Sequence, residues 1–191
     1  MSRLCYWLPL AAACFSVGET TLGADDFKIE AGYTSLFNGK DLSGWQYGKK
    51  KEKVEGMTET SDKRFQVKEG TIVANVGRGI QDLYTVKNFD KDFHLKLEFR
   101  AAPRADSGVY IRGKQLQVRD YPTVGPYKNL KHFKNADWNE LDITVKGTVA
   151  RCLCNDEVVE EAFPVPAKGG IGLQAEVGKF EFRRIRIQEL P

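Results

Sequence analysis

Apolar and polar residues alternate along much of this chain, most sharply at residues 93–100. There Phe93, Leu95, Leu97 and Phe99 interleave with His94, Lys96, Glu98 and Arg100, the period of a β-strand with one buried and one wetted face. The same period places Leu116 and Val118 opposite Gln115, Gln117 and Arg119, and Leu141, Ile143 and Val145 opposite Glu140, Asp142, Thr144 and Lys146. Residues 65–67 and 71–73 flank Lys68-Glu69-Gly70, which predicts a hairpin. Near the end of the chain Phe180 and Phe182 keep one parity while Ile185 and Ile187 keep the other. A β-bulge at Arg183-Arg184 would return the isoleucines to the core. No segment carries a sustained helical period. Many short strands without crossover helices predict an all-β, two-sheet antiparallel sandwich.

The 191 residues, 41% hydrophobic and 29% charged, fit one soluble domain with a real core. A net charge of +3 is too mild to point to nucleic acid. Arg3, the apolar run 4–15 and the small residues before Asp25 have the layout of a secretory signal peptide, expected to be cleaved near residue 24. The run is too short to predict a membrane span. The alternative is a lipid-modified Cys14, although Leu10 lies one place too far upstream for the usual lipobox. The expectation is therefore a leader over 1–24, one domain over 25–191, and a secreted or periplasmic location. Cleavage takes one base, Arg3, and one acid, Glu19, and leaves the net charge unchanged.

Cys152 and Cys154 then remain, two apart in a strand, and are expected as buried or half-buried thiols because a bridge at that spacing bends the backbone severely. His94 and His132 have no zinc-type spacing to them. Neither a metal nor a cofactor is predicted, and nothing in the sequence calls for a divalent ion. The run Lys49-Lys50-Lys51-Glu52-Lys53 reads as a solvated loop or, alternatively, an anionic-ligand patch. Gly77-Arg78-Gly79 marks a turn.

The wetted positions are richer than solvent requires. After the turn chemistry of Asp106-Ser107-Gly108, Val109 and Ile111 point one way, Tyr110 and Arg112 the other. Lys96, Glu98 and Arg100, then Tyr110 and Arg112, then Gln115, Gln117 and Arg119 hold carboxylate, guanidinium, amide and phenol groups suited to sugar hydroxyls and carbonyls. The strands follow one another in sequence and are expected to be neighbours. Glu98, Tyr110, Arg112 and Gln117 should then line one concave face. A salt-bridged solvent face is the plainer alternative.

Seven motifs carry a resemblance to a known family: GYTSLFNGKDLSGW (32–45), DFHLKLEFR (92–100), DSGVYIRG (106–113), QLQVRD (115–120), DWNELDITVKG (137–147), GGIGLQ (169–174) and FEFRRIRIQEL (180–190). The chain resembles the 3-keto-disaccharide hydrolase domain family, secreted bacterial proteins with a concanavalin A-like or laminin G-like jelly roll. It departs from the family pattern at Gln115, where an acid is common, and at Ala175-Glu176, where His-Gly is common. The resemblance implies cleavage of a glycoside already oxidised at C3, whose acidified C2 hydrogen a base removes to expel the aglycone.

On that implication Glu98, the glutamate of the family's strand motif, is the base, and Arg112 stabilises the enolate. Asp106, Tyr110 or Glu176 protonates the leaving group; Asp106 alternatively only fastens its turn. Arg100, Gln115, Gln117, Arg119 and Gln174 would contact the sugar. Trp138 and Asn139 would stack on or bond to it, or else serve as a core tryptophan and a turn-capping asparagine. The non-catalytic alternatives are a carbohydrate-binding module and a laminin G-like interaction domain.

Overall fold

The structure, a computed structural model, describes Met1 and residues 27–191. The expected cleavage near residue 24 and the Cys14 alternative lie outside the described residues. Among the described residues fourteen strands are joined by turns, with one short helical segment, α1 (Tyr121–Val124). In chain order the strands are β1 (Thr34–Ser35), β2 (Trp45–Tyr47), β3 (Glu52–Lys53), β4 (Phe65–Lys68), β5 (Thr71–Ala74), β6 (Gln81–Thr85), β7 (Phe93–Ala101), β8 (Asp106–Ile111), β9 (Lys114–Arg119), β10 (Asn139–Lys146), β11 (Val149–Cys154), β12 (Glu157–Pro164), β13 (Ile171–Ala175) and β14 (Phe180–Glu189).

The first sheet runs β12-β11-β10-β7-β14-β5-β4, with β1 added to β14; the second runs β3-β2-β6-β13-β8-β9. This is the expected two-sheet antiparallel jelly-roll sandwich. Leu95, Leu97, Val109, Ile111, Leu116 and Val118 all lie in the core, as their parity predicted, among Trp45, Phe65, Phe99, Phe180 and Phe182. The 65–67/71–73 hairpin forms as β4-β5. The bulge also forms: the β14-β7 register slips between Arg183 and Arg186, Arg184 takes φ 51°, and Ile185 and Ile187 turn inward. Cys152 and Cys154 are buried free thiols, and burial pushes both up to about 12.

Two expectations fail on topology. The strand β7 is central in the first sheet, whereas β8 and β9 close the edge of the second. Outward from one sheet is the opposite surface from outward on the other, so Glu98 does not share a face with Tyr110 or Gln117.

Arg112 does not line a face at all. Ile111 pairs with Lys114, leaving Arg112-Gly113 as a two-residue hairpin loop with φ 52° and 88°, the positive angles of a type I′ turn. The turn redirects the Arg112 side chain into the protein, where it is 3% exposed. Its guanidinium donates to the carbonyls of Gly147 (2.7 Å), Pro166 (3.2 Å) and Lys91 (2.5 Å) and lies 5.3 Å from the Phe93 ring centroid. It ties three loops to the hairpin, which is a structural task.

Candidate functional site

The outer face of the second sheet is built from strand register. Gln46 pairs with Tyr84, Tyr84 with Gly172, Gly172 with Tyr110 and Tyr110 with Gln115. These five outward positions form one row across β2, β6, β13, β8 and β9. One row along, Asp82 pairs with Gln174 and Gly108 with Gln117. Asp106 and Arg119 form the next pair on β8 and β9. Directly opposed side chains in an antiparallel pair stand about 4.5–5.5 Å apart at Cβ, so each row is a continuous strip of functional groups.

Two glycines let planar groups lie flat across the strip. A Cβ on Gly172 would come within 2.5 Å of the Tyr84 ring and 3.0 Å of the Tyr110 ring. A Cβ on Gly108 would come within 2.6 Å of the Gln115 amide nitrogen. The tyrosine rings meet over Gly172 with centroids 5.1 Å apart. Gln115 Nε2 donates to Gln174 Oε1 at 2.8 Å, and Gln174 Nε2 donates to the Tyr110 hydroxyl oxygen at 2.8 Å. The Tyr110 hydroxyl also interacts with Asp82 and Tyr84.

The acids of this face are held unusually. Burial pushes the Asp82 carboxyl above its ordinary value; the hydroxyls of Tyr110 and Tyr84, the charge of Lys49 and the Gln174 amide oppose but do not cancel the rise. Asp82 Oδ1 is enclosed without a hydrogen-bond partner among the described residues, as is Gln117 Oε1. Glu176, just past β13, is also raised, first by burial and then by the charges of Asp106 and Asp82, with Arg119 opposing. Asp106 is bonded to Arg119. Burial and the neighbouring Asp82 push Tyr110 up to about 12 and Tyr84 further in the same direction, so both phenols remain hydrogen-bond donors at neutral pH.

Two clefts flank Asp82 and Tyr84. One, of 390 Å³, is lined by Tyr47, Lys49, Lys50, Gln81 and Asp82 among others. The second, of 230 Å³, is lined by Gln46, Lys49, Lys51, Tyr84 and Asn88 among others. A larger cleft of 630 Å³ lies beside Phe37 and Phe89, but several of its polar groups are spent on the protein itself. Ser35 Oγ donates to the Phe37 carbonyl at 2.6 Å and Thr85 Oγ1 to the Lys87 carbonyl at 2.7 Å, while Lys87 Nζ pairs with Glu189 at 2.6 Å. Of the buried side-chain atoms without a partner among the described residues, Asp82 Oδ1 and Gln117 Oε1 lie on the second sheet's face and Arg112 Nε lies at the β8-β9 turn.

Of the residues singled out in the sequence, Asp106, Tyr110, Gln115, Gln117, Arg119, Gln174 and Glu176 come together here. Glu98, Arg100 and Trp138 do not. Glu98 lies on the outer face of the first sheet, gripped by Arg183 Nε (2.7 Å) and Arg184 Nη1 (2.5 Å); the bulge turns both arginines outward. Arg100 pairs with Glu181. Trp138 sits between Arg100 and Arg183, 4.7 and 3.9 Å from their guanidinium carbons, so it is neither a core residue nor part of the second sheet's face. Asn139 is fully buried and binds the backbone of Lys134 and Asp137 and the side chain of Asn155, the loop-tying reading.

Sequence reasoning missed Asp82, Tyr84 and Gln46. The available signal was the parity of Gln81-Asp82-Leu83-Tyr84-Thr85, but with Leu83 as its one strongly apolar residue it does not stand out as a strand. Among the described residues no group of three or more His, Cys, Asp or Glu is placed to hold a metal ion. No described helix is long and apolar enough to cross a membrane.

Solved structures share this architecture. A candidate glycosyl hydrolase from Parabacteroides distasonis superposes with a TM-score of 0.64 at 20% identity, over 84% of this chain and 95% of that one. The carbohydrate recognition domain of Emp47p gives 0.52 at 16% identity, over 87% and 99%. The carbohydrate-binding module CBM66 from Bacillus subtilis gives 0.50 at 11% identity, over 77% and 96%. At these identities the likeness establishes the fold. No curated protein matches the chain. The model of the 3-keto-alpha-glucoside-1,2-lyase-like domain matches residues 32–188, nearly the whole described structure, and the chain belongs to that family.

Proposed function

We propose that the protein cleaves glycosides carrying a ketone at C3, at the outer face of the second sheet, with Asp82 as the base. The observation that carries this reading is the Asp82 carboxyl itself: raised by burial, with one enclosed oxygen unpartnered, beside two phenols and a cleft. A carboxylate whose affinity for a proton is raised above its ordinary value accepts one more readily.

In the reaction Asp82 takes the C2 proton, and the electron pair moves onto the C3 oxygen. Tyr84 and Tyr110, kept protonated, donate hydrogen bonds to that enolate oxygen. Collapse of the enolate forms the C1–C2 double bond and breaks the C1–O bond to the aglycone. Glu176, also raised, gives the leaving oxygen its proton. Water then adds across the double bond to complete hydrolysis. Arg119, anchored by Asp106, supplies fixed positive charge on the same face. We further propose that this activity is exported, a reading supported by the leader-like composition of residues 1–24 and tested by the mass of the mature chain, expected to start near Asp25.

Binding without turnover is the second reading, favoured by Gln115 replacing an acid and by the spending of its amide on Gln174. Incubation with a panel of 3-keto-glucosides separates the two. Aglycone release that Asp82→Asn removes supports the enzyme. Saturable sugar binding without any release replaces it with a binding module.

A further inference from the structure

The lysine run 49–51 lies on the two clefts that flank Asp82 and Tyr84. It forms the tip of the β2-β3 hairpin, in which Gln46 pairs with Lys53 and Tyr47 with Glu52. The hairpin is fastened beside the proposed base: Gly48 N donates to the Asp82 carbonyl at 2.8 Å, and Lys51 N closes the turn onto the Gly48 carbonyl at 3.1 Å. Lys49 lines both flanking clefts, Lys50 the one beside Asp82 and Lys51 the one beside Tyr84. The Lys49 charge reaches far enough to act on the Asp82 carboxyl.

These three lysines are exposed, and no carboxylate lies within ion-pair distance of any of them among the described residues. Lacking an ion pair is not what sets them apart, since Lys53, Lys68 and Lys114 among others also have none while Lys63, Lys87, Lys168 and Lys179 do; what does so is their place on the two clefts. The remainder of the face leans the other way, with Asp82, Asp106 and Glu176 set against Arg119. The rim carries both signs, with Glu52 beside Lys49 and Lys50 in the cleft that holds Asp82, but the three lysines outnumber that one acid. A neutral glycoside gains only hydrogen bonds from the ammonium groups. A ligand with an oxyanion at one end is steered by their charge and held in one direction.

We infer that the 49–51 hairpin is an anion subsite and that the substrate is an acidic glycoside, bearing a carboxylate or sulfate group beyond the ring over Asp82. This rests on reading the second sheet's face as a glycoside site. Exposed pairs each contribute modestly and are screened by salt, so the expected discrimination is about tenfold at low salt, not several orders of magnitude.

The test compares three matched 3-keto-glycosides, with a neutral, a carboxylated and a sulfated aglycone, in wild type and in the triple variant Lys49→Gln/Lys50→Gln/Lys51→Gln. Within each protein the readout is the ratio of kcat/KM for charged over neutral substrate, which removes any common change in rate or folding. The expected wild-type ratio is about ten at low salt, falling as potassium chloride is added and approaching one in the variant. The carboxylate and sulfate arms identify which oxyanion is preferred. Turnover of all three substrates with a ratio of one in wild type overturns the subsite and leaves the enzyme reading intact. Turnover of none overturns the enzyme reading. The subsite is then decided by titrating the unoxidised glucoside, its glucuronide and its sulfated counterpart. Tighter, salt-sensitive binding of either charged ligand that the variant loses supports it, and equal binding of all three overturns it.

Discussion

The two outer faces of this sandwich use the same kinds of side chain to opposite ends. Acids at the outer face of the first sheet meet basic side chains. Glu98 is held by Arg183 and Arg184, Glu181 by Arg100 and Lys179, Asp142 by His94 and Lys96, and Glu30 by Arg186. On the second sheet Asp82 faces phenols and amides, and Glu176 faces other acids more than it faces Arg119. The carboxyls respond in opposite directions. Hydrogen bonds from Arg186 pull Glu30 down to about 2. Burial pushes Asp142 and Glu181 upward, but their basic partners outweigh it and both end below their ordinary values. Burial wins at Asp82 and Glu176, which end above theirs. Compensated charge holds a structure together, whereas undercompensated charge in a cleft is available for chemistry.

The sharpest way to break this contrast is to neutralise one acid on each face. Asp82→Asn should lower aglycone release by about a hundredfold to ten-thousandfold, the usual cost of a lost base, with little change in Tm. Glu98→Gln should leave kcat intact and instead cost about 1–3 kcal/mol of stability in denaturant melts, because two guanidinium groups lose an ionised acceptor. Loss of turnover without loss of stability in the Glu98 variant would return the active face to the first sheet.

A smaller effect is expected from Gly172→Ala. The new methyl forces the Tyr84 and Tyr110 rings apart, so the variant should lose about 1–3 kcal/mol from overpacking and lose glycoside affinity beyond what its folded fraction explains. Unchanged affinity in isothermal titration would mean that the rings are not part of the site. Arg112→Lys should lower Tm with kcat per folded molecule preserved, since lysine keeps the charge but not the planar fork that reaches three carbonyls.

Acidification should separate the faces with the gentlest signal. Asp82 must be ionised to accept a proton and its carboxyl is raised, so kcat/KM should fall as pH drops through a limb lying above the unperturbed aspartate value of about 3.9. Glu30 works with the opposite sign. Its folded value is about 2 against an ordinary 4.5, so its contribution to stability is fully present above about 4.5 and lost as pH falls toward 2. Turnover should therefore disappear while circular dichroism still reports a folded chain. Coincident loss of both would count against the assignment of Asp82.

What could be read before the fold was known was local. Strict alternation at 93–100 named Leu95 and Leu97 as core, and the parity slip at 183–184 located the bulge, because each strand's side-chain period follows from its own backbone. The motifs around Tyr110, Gln115, Gln117 and Gln174 marked residues that do assemble into one face. Asp82 and Tyr84 went unnoticed because β6 is short and its inward residues include Gln81 and Thr85, which weakens the alternation that reveals a strand.

By itself the sequence determined which side chains point in and which point out along the strands that alternate clearly, together with the family and the two-layer architecture. Only the tertiary structure decided which surface each outward residue belongs to. That depends on strand pairing, a non-local choice: β7 pairs with β10 and β14, both later in the chain, while β8, the next strand, crosses to the other sheet and pairs with β13. Parity carries no information about that crossing, so Glu98 and Tyr110 look alike in one dimension and lie on opposite sides of the protein in three. The same holds for Arg112, whose outward parity ends at a left-handed turn that sends its guanidinium inward to three loop carbonyls.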